Sequence, residues 1–461
     1  MLNDLIYMDC LEAARRMRQR ELSATQYTQA LLERITTHDA SLDTFVHLSA
    51  KQALAAARAS DRRFRHGEEL GPLEGVPFAL KDIIDAEGIE TTAHSKILKD
   101  NIAKRDAQVT RVLKRAGAIL MGKLATHEFA CGGPCFDLPW PPARNPWNRK
   151  LFPGGSSSGP AAAVAAGFVP VAIGSDSAGS IRGPAALCGI VGMKPTYGRV
   201  SCCGVYPLAS TLDTVGPMTR TVAENAAVLN VIAARDSQAP GYPTPDFTAR
   251  LDHGIRGLKV MVIRHFYESD AAAHPELILA MDKAIETLSG LGAEISDCTV
   301  RELSEYTRCN RTIMVSEAYA RHKTWLAARP GDYGNITRQR LMVGRTIGTD
   351  DYARAKRLRA ETTVDLRRIL ETADVIVTAS SFDPPCLIDD GIALERSHAR
   401  QAFGLFSLTG QPAIAVPCGF TESGLPLSMQ IAGKDFDEAT VYQVASAYES
   451  ATPWKNCRPI L

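Results

Sequence analysis

Charge of one sign is what this 461-residue sequence has least of. Lys and Arg number 52 against 51 Asp and Glu, a formal net charge of +1. With no basic surplus and no acidic tail, the composition points to no nucleic-acid partner. Long apolar runs are also missing, and none approaches the roughly 20 residues of a membrane-spanning helix. The opening MLNDLIYMDCLEAARRMRQREL carries acids early and repeats its apolar positions at helical spacing, so no signal peptide is read there. The eleven cysteines are scattered, odd in number and free of C-x-x-C pairs. That pattern suits reduced thiols better than a disulfide framework. Fixed-period repeats and low-complexity tails are absent as well. A soluble, cytoplasmic protein with no nucleic-acid and no membrane partner is the expectation.

What is present is an ordinary globular balance, 45% hydrophobic and 22% charged, enough to bury a substantial core. Residues 4 to about 60 read as amphipathic helices, with Ser23 and Thr25 as cap-like residues before QYTQALLERI. GPLEGVPFALKD reads as a turn and a short buried strand ending at Lys81. A helix over 107–116 and a strand over 118–124 follow. Further Gly-bounded apolar runs, 169–176, 189–194, 258–264, 373–380, 412–419 and 427–433, read as strands. Between them, residues 275–370 are charged and helix-prone. Strands alternating with helices predict an α/β protein with one large mixed sheet, and no linker divides the 461 residues into separate cores.

The one stretch with linker composition is PGGSSSGPAAAVAAG, residues 153–167. Serine, then proline in a first turn, then alanines and a closing glycine are the punctuation of a helix. The serines are therefore expected at the positive end of a buried helix. GSSSG also matches G-x-S-x-G with Ser157 at its centre, but the loop-like RNPWNRKLFP precedes it where a nucleophile elbow needs a strand. His127, Cys131 and Cys135 could share a helix face as metal ligands, but Gly132-Gly133-Pro134 would break that helix, so no metal site is expected. A second cluster, GSDSAGSIRGPAALCGIVGMKPTYGRVS (174–201), places small residues Ser177, Ala178 and Gly179 in a turn before Ser180. Successive backbone amides in such a turn can bind an oxyanion. Two serine clusters and a strand-ending lysine point to a serine nucleophile that needs no histidine.

GVPFALKD, GGSSSG, GSDSAGSIRGPAALCGIVGMKPTYGRVS, PAIAVPCG, LPLSMQIAGKDFDEAT and AYESATPW, in that order, resemble the blocks of the amidase signature family nearly from end to end. The resemblance implies that family's fold, one mixed sheet flanked by helices on both sides, as a single domain over 1–461. Residues 1–60 would be its N-terminal helices and about 275–370 a helical insertion shaping the substrate pocket. It implies a catalytic triad of Lys81, a cis-peptide Ser156 and the nucleophile Ser180. The amides of Ser177, Ala178, Gly179 and Ser180 would form the oxyanion hole, with Ser157 and Asp176 in support. No cofactor is implied.

A buried lysine can be neutral and accept a proton. Ser156 would relay that proton from Ser180, and an acyl-enzyme would form and be hydrolysed. Arg182 and Lys194 read as scaffold. The sequence departs from the usual pattern in SSSGP and SAGS, where Ala178 would be strained if its position needs a positive φ. In CGGPCFDLPWPPARNPW (131–147), the residues Cys131, Gly132, Phe136, Leu138, Pro139 and Trp140 read either as an apolar wall beside the substrate or as a packed surface loop. By the resemblance Arg359 falls where the family's glutaminase subunit carries its glutamine-carboxylate arginine. But Arg400 falls where that subunit would carry an aspartate, and TDDYARAK replaces its aromatic DAYY-like stretch. Both arginines read alternatively as binding an acidic substrate group or as salt-bridge partners. On that difference the expected activity is a stand-alone amidase acting on a small aryl or alkyl carboxamide, with carbamates or esters as further candidates. The chain would be a monomer or homodimer. The alternative is the glutaminase (A) subunit of a tRNA-dependent amidotransferase.

Overall fold

The computed structural model describes residues 5–233 and 245–461. Its strands are β1 (Phe45–Leu48), β2 (Pro77–Lys81), β3 (Ile119–Leu124), β4 (Val171–Asp176), β5 (Val191–Lys194), β6 (Thr214–Thr219), β7 (Lys259–Val262), β8 (Glu294–Asp297), β9 (Val375–Ala379), β10 (Ala413–Phe420) and β11 (Pro426–Gly433). All eleven join one sheet in the order β1-β3-β2-β4-β6-β5-β10-β11-β9-β7-β8. β2 is parallel to β3 and β4, and β7 is parallel to β8 and β9. The other pairings are antiparallel, so the sheet is mixed as expected.

Side-chain alternation decides which layer each strand residue serves. Phe78, Leu80, Val171 and Ile173 enter one core, whereas Ala79 and Ala172 enter the other. The second core is covered by helices Cys10–Arg18, Ala24–His38, Ala50–His66 and Ser158–Ala165. Helices Val222–Ile232, Pro275–Gly290 and Glu438–Ser450 pack into the first. The sheet is therefore buried on both faces, which is why its central strands read as continuous apolar runs. Ser23 caps helix Ala24–His38 as predicted, in a reciprocal capping box with Gln26.

Three strands depart from the sequence reading. β1 interrupts the expected helical run of 1–60, of which residues 1–4 lie outside the described residues. The Asp39 carboxylate accepts from the backbone N–H of both Thr44 and Phe45, turning the chain out of its helix so that FVHL pairs with β3. β8 sits inside the 275–370 block, between helices Pro275–Gly290 and Leu303–Ala328. β6, TVGPMT, was hidden by Gly216 and Pro217, residues that weaken a strand interior.

The parallel trio β2, β3 and β4 places three carboxyl ends side by side. Lys81 ends β2, Ser175 and Asp176 end β4, and the chain leaving β3 reaches His127. In open α/β sheets a ligand crevice forms at such strand ends.

Candidate active site

Lys81 is fully buried, and its Nζ donates to Ser156 Oγ at 2.7 Å and to Ser175 Oγ at 3.0 Å. Burial pushes its pKa down to about 7, against the opposing pull of the Asp176 and Asp213 carboxylates. The amine is thus neutral in part at physiological pH.

Ser156 follows a cis peptide bond from Gly155. Its carbonyl oxygen accepts from the His127 N–H at 3.1 Å. Gly155 lies against the His127 ring so closely that a Cβ there would stand 1.8 Å from Cε1. The imidazole stacks on Phe152, with centroids 5.7 Å apart at 19°. Burial holds its pKa well below the ordinary value, so it is neutral.

Helix Ser158–Ala165 is buried along its whole length, which its alanines permit. Ser157 starts it but does not cap it with its side chain. Its Oγ instead donates to the Ser175 carbonyl (3.2 Å) and accepts from the Ser175 N–H (3.3 Å). Ser156 and Ser157 therefore engage the same β4 residue, one through Lys81 and one directly.

Ser180 closes the turn after β4. Asp176 braces that turn by accepting from the Gly179 N–H (2.7 Å), the Ile181 N–H (3.2 Å) and Arg182 Nε (3.0 Å). Burial by itself would raise the Asp176 pKa, but the adjacent Arg182 guanidinium outweighs it and holds the carboxyl at about 2. Arg182, also buried, reaches Gln430, Ser407 and the Phe403 carbonyl, a scaffold role as read. Ser177 Oγ donates to Asp213 (2.6 Å), and the Ser180 carbonyl accepts from the Ser157 N–H (3.2 Å). Gly179 sits at φ +111° with Phe403 at 2.4 Å from the place of a Cβ, so only glycine fits there. Ala178 is not among the positive-φ residues and carries no such strain. The Gly179 amide is committed to Asp176, which removes it from the predicted set of oxyanion donors.

A cleft opens above Ser156 and Ser180. Cys131 and Gly132 line it, whereas Phe136, Leu138, Trp140 and Arg359 do not. Phe136 is exposed beneath the Arg144 guanidinium, and Leu138 is buried. The Trp140 carbonyl accepts from His94 Nε2 (2.9 Å). The stretch 136–140 is thus the packed loop of the two readings, not a wall of the cleft. Arg359 spends its guanidinium on the carbonyls of Leu408 and Thr211, and Arg400 pairs with Asp383.

Among the cleft residues that sequence reading missed are Asn310, Arg311, Arg340, Glu395 and His398, and His127 was weighed only as a metal ligand. Helical spacing offered a signal for Asn310 and Arg311 alone, which share one face of helix Leu303–Ala328 with Thr307 and Met314. Among the described residues, the one cluster able to hold a metal ion is Asp9, Cys10 and Glu224, none of which lines the cleft. No described helix is long and apolar enough to cross a membrane.

Comparison with known proteins bears on these residues as a set. The family model described as Amidase matches residues 26–442. The A subunit of the Glutamyl-tRNA(Gln) amidotransferase from Chloroflexus aggregans is 37% identical over 490 aligned residues, covering 100% of this chain and 99% of that protein. The solved A subunit of the Glutamyl-tRNA(Gln) amidotransferase from Thermotoga maritima superposes with a TM-score of 0.80 at 30% identity, over 98% of this chain and 96% of the other. A chain solved in a vestigial protein complex bearing on the origins of an s-triazine catabolic enzyme superposes with a TM-score of 0.90 at 29% identity. It covers 98% of this chain and 100% of its own.

These relatives overturn two expectations. A stand-alone amidase of a small carboxamide, and a monomer or homodimer with a small-molecule substrate and no nucleic acid, do not match subunits named for a tRNA-dependent amidotransferase. The physical reason lies in the positions used to rank the readings. Arg400, read as standing in place of a glutaminase aspartate, pairs with Asp383 outside the cleft, so it carried no information about the substrate.

Proposed function

The chain belongs to the amidase signature family of enzymes acting on C–N bonds, and on that premise we propose that it is the glutamine-hydrolysing component of a tRNA-dependent amidotransferase assembly. The observation that carries this reading is the end-to-end correspondence with A subunits of Glutamyl-tRNA(Gln) amidotransferases, which spans every element that builds the cleft. All 461 residues work as one unit in this reading, with the helices of 275–370 as the outer wall of the cleft. We place the assembly, on this reading, in the cytoplasm.

In the proposed mechanism Ser180 is the nucleophile. Neutral Lys81 draws a proton from Ser156 Oγ, 2.7 Å away, as Ser156 takes one from Ser180. The developing oxyanion is held by the amides of Ser177, Ala178 and Ser180, for which no described acceptor competes. Proton return through Ser156 to the leaving nitrogen frees ammonia and leaves an ester on Ser180. Water then attacks that ester with the same lysine as base. Asp176 and Ser157 hold the two serine-bearing turns against β4.

The test is ammonia release from glutamine by the chain alone and with its amidotransferase partner subunits, with Ser180→Ala as control. Release that needs Ser180 and rises with the partners is expected. No glutamine hydrolysis in either state, with Ser180-dependent turnover of an aryl amide, would overturn the reading.

A further inference from the structure

Helix Leu303–Ala328 builds the wall of the cleft that carries Thr307, Asn310, Arg311 and Met314. That wall is anchored to the catalytic turn. Buried Asn310 donates through Nδ2 to the Ser177 carbonyl at 3.2 Å. Arg311, the next residue, lines the cleft, is exposed, and makes no hydrogen bond or ion pair with a described residue. The other cation of the wall is already matched, Arg340 Nη2 lying 2.7 Å from Glu395 Oε1. The two imidazoles lining the cleft, His127 and His398, are neutral near pH 7 because burial lowers both. Both arginines act on the one Glu395 carboxylate, but only Arg340 bonds it. Two arginines against one glutamate thus leave a net positive charge on this wall, with the Arg311 guanidinium making no hydrogen bond to a described residue. A guanidinium that lines a substrate cleft and makes no hydrogen bond can receive a carboxylate, which its planar fork grips with two hydrogen bonds.

We infer that Arg311 binds the carboxylate of an acidic amide substrate, the task that resemblance had given to Arg359. The inference rests on the reading of Ser180 as the site of amide hydrolysis, and glutamine's α-carboxylate is the group concerned. It also accounts for Arg359: a guanidinium donating to two backbone carbonyls and to Thr211 Oγ1 has no fork left to offer.

The test compares glutaramic acid with pentanamide, two five-carbon amides that differ only in a terminal carboxylate, alongside glutamine. The full chain is used with its partner subunits. In Arg311→Ala the ratio of kcat/KM for the acid over the neutral amide is expected to fall about 10- to 100-fold, carried by KM. Arg311→Lys should retain part of the preference. Arg308→Ala, an exposed arginine on the same helix that does not line the cleft, should keep the full ratio.

An unchanged ratio in Arg311→Ala, or an equal fall in Arg308→Ala, overturns the assignment. If the unsubstituted protein ignores glutamine yet loses its acid preference in Arg311→Ala, the glutamine reading fails and the role of Arg311 stands. If glutamine is hydrolysed and the ratio survives in Arg311→Ala, the reverse holds. Binding is read without turnover by protection of Ser180 from a fluorophosphonate by glutarate. The half-protecting concentration should rise by the same factor in Arg311→Ala; an equal value in both proteins overturns the assignment.

Discussion

Lys81 Nζ stands 2.7 Å from Ser156 Oγ, joining the end of β2 to a serine 75 positions further along the chain. With the lysine pKa brought down to about 7 by burial, the neutral amine gains population across physiological pH. In the proposed mechanism kcat/KM should therefore climb with an apparent pKa near 7 and level off above it. Lys81→Met should lose roughly 10²–10⁴-fold in kcat. A rate independent of pH between 5 and 9 would remove Lys81 from the role of base.

The same shift has a consequence for stability. Its folded-state pKa lies below an unfolded value of about 10.4. Between about pH 7 and that value the unfolded chain holds more protons, so this residue's contribution to stability rises with pH there and is at its least favourable below about 7. Lys194 is lowered to about 7 as well, so the difference between the parent protein and Lys81→Met isolates the effect. Parallel denaturation curves across pH 6–10 would contradict it.

Asp176 and Arg182 form a buried pair 3.0 Å apart that holds the turn before Ser180. Asp176→Asn leaves the guanidinium without its charge partner, and a loss of about 3–5 kcal/mol is expected from breaking such a pair. The Asp176 pKa, held near 2, is below its ordinary 3.8. Its stabilising contribution is thus complete above about pH 4 and lost as pH falls through 2. Urea denaturation at pH 7 and pH 3 checks both statements; a loss in Asp176→Asn below 1 kcal/mol at pH 7 would show that the turn stands without the pair.

How far the sequence foretold this site depends on chain locality. Lys81, Ser156, Ser157, Asp176 and Ser180 lie in short stretches whose glycines, prolines and small residues mark turns and helix ends. The buried strands β2, β4, β10 and β11 declared themselves as apolar runs. β6 did not, because Gly216 and Pro217 sit where sheet pairing overrides local preference. The far wall of the cleft was also illegible. Asn310, Arg311, Arg340 and Glu395 come from three separate helices, and only their tertiary packing brings them to one cavity. The loop 131–147 misled in the other direction, because its proline and aromatic content reads alike for a pocket wall and for a packed surface.

Gly155 and His127 make a steric prediction. Any Cβ at 155 would overlap the imidazole, which is buried and stacks on Phe152. Gly155→Ala should cost about 1–3 kcal/mol, as overpacking does, and should displace Ser156 enough to abolish turnover. His127→Ala in the same chain should recover part of the stability, giving a coupling energy well away from zero in a double-mutant cycle. Additive effects in thermal denaturation would mean that the two groups do not meet.

Glu128 supplies the remaining test, one of coupling between the two sides of the cleft. Its Oε1 accepts from Ser95 Oγ (2.6 Å) and its Oε2 from the Gly334 N–H (2.9 Å). It thereby ties the turn after β3 to the start of helix Asn335–Val343, which carries Arg340. Burial raises its pKa to about 7, so the folded protein holds its proton more tightly than the unfolded chain does. Stability from this group is complete below an unfolded value of about 4.3 and is lost as pH rises through 7. Glu128→Gln keeps an acceptor for Gly334 and can donate to Ser95, but it cannot ionise. The parent protein should lose on the order of 1–3 kcal/mol more than Glu128→Gln between pH 5 and 8. Asp213 and Glu449, also raised by burial, contribute equally to both proteins and cancel in the difference. A difference that stays constant from pH 5 to 8 would show that Glu128 is already ionised in the folded protein at pH 5.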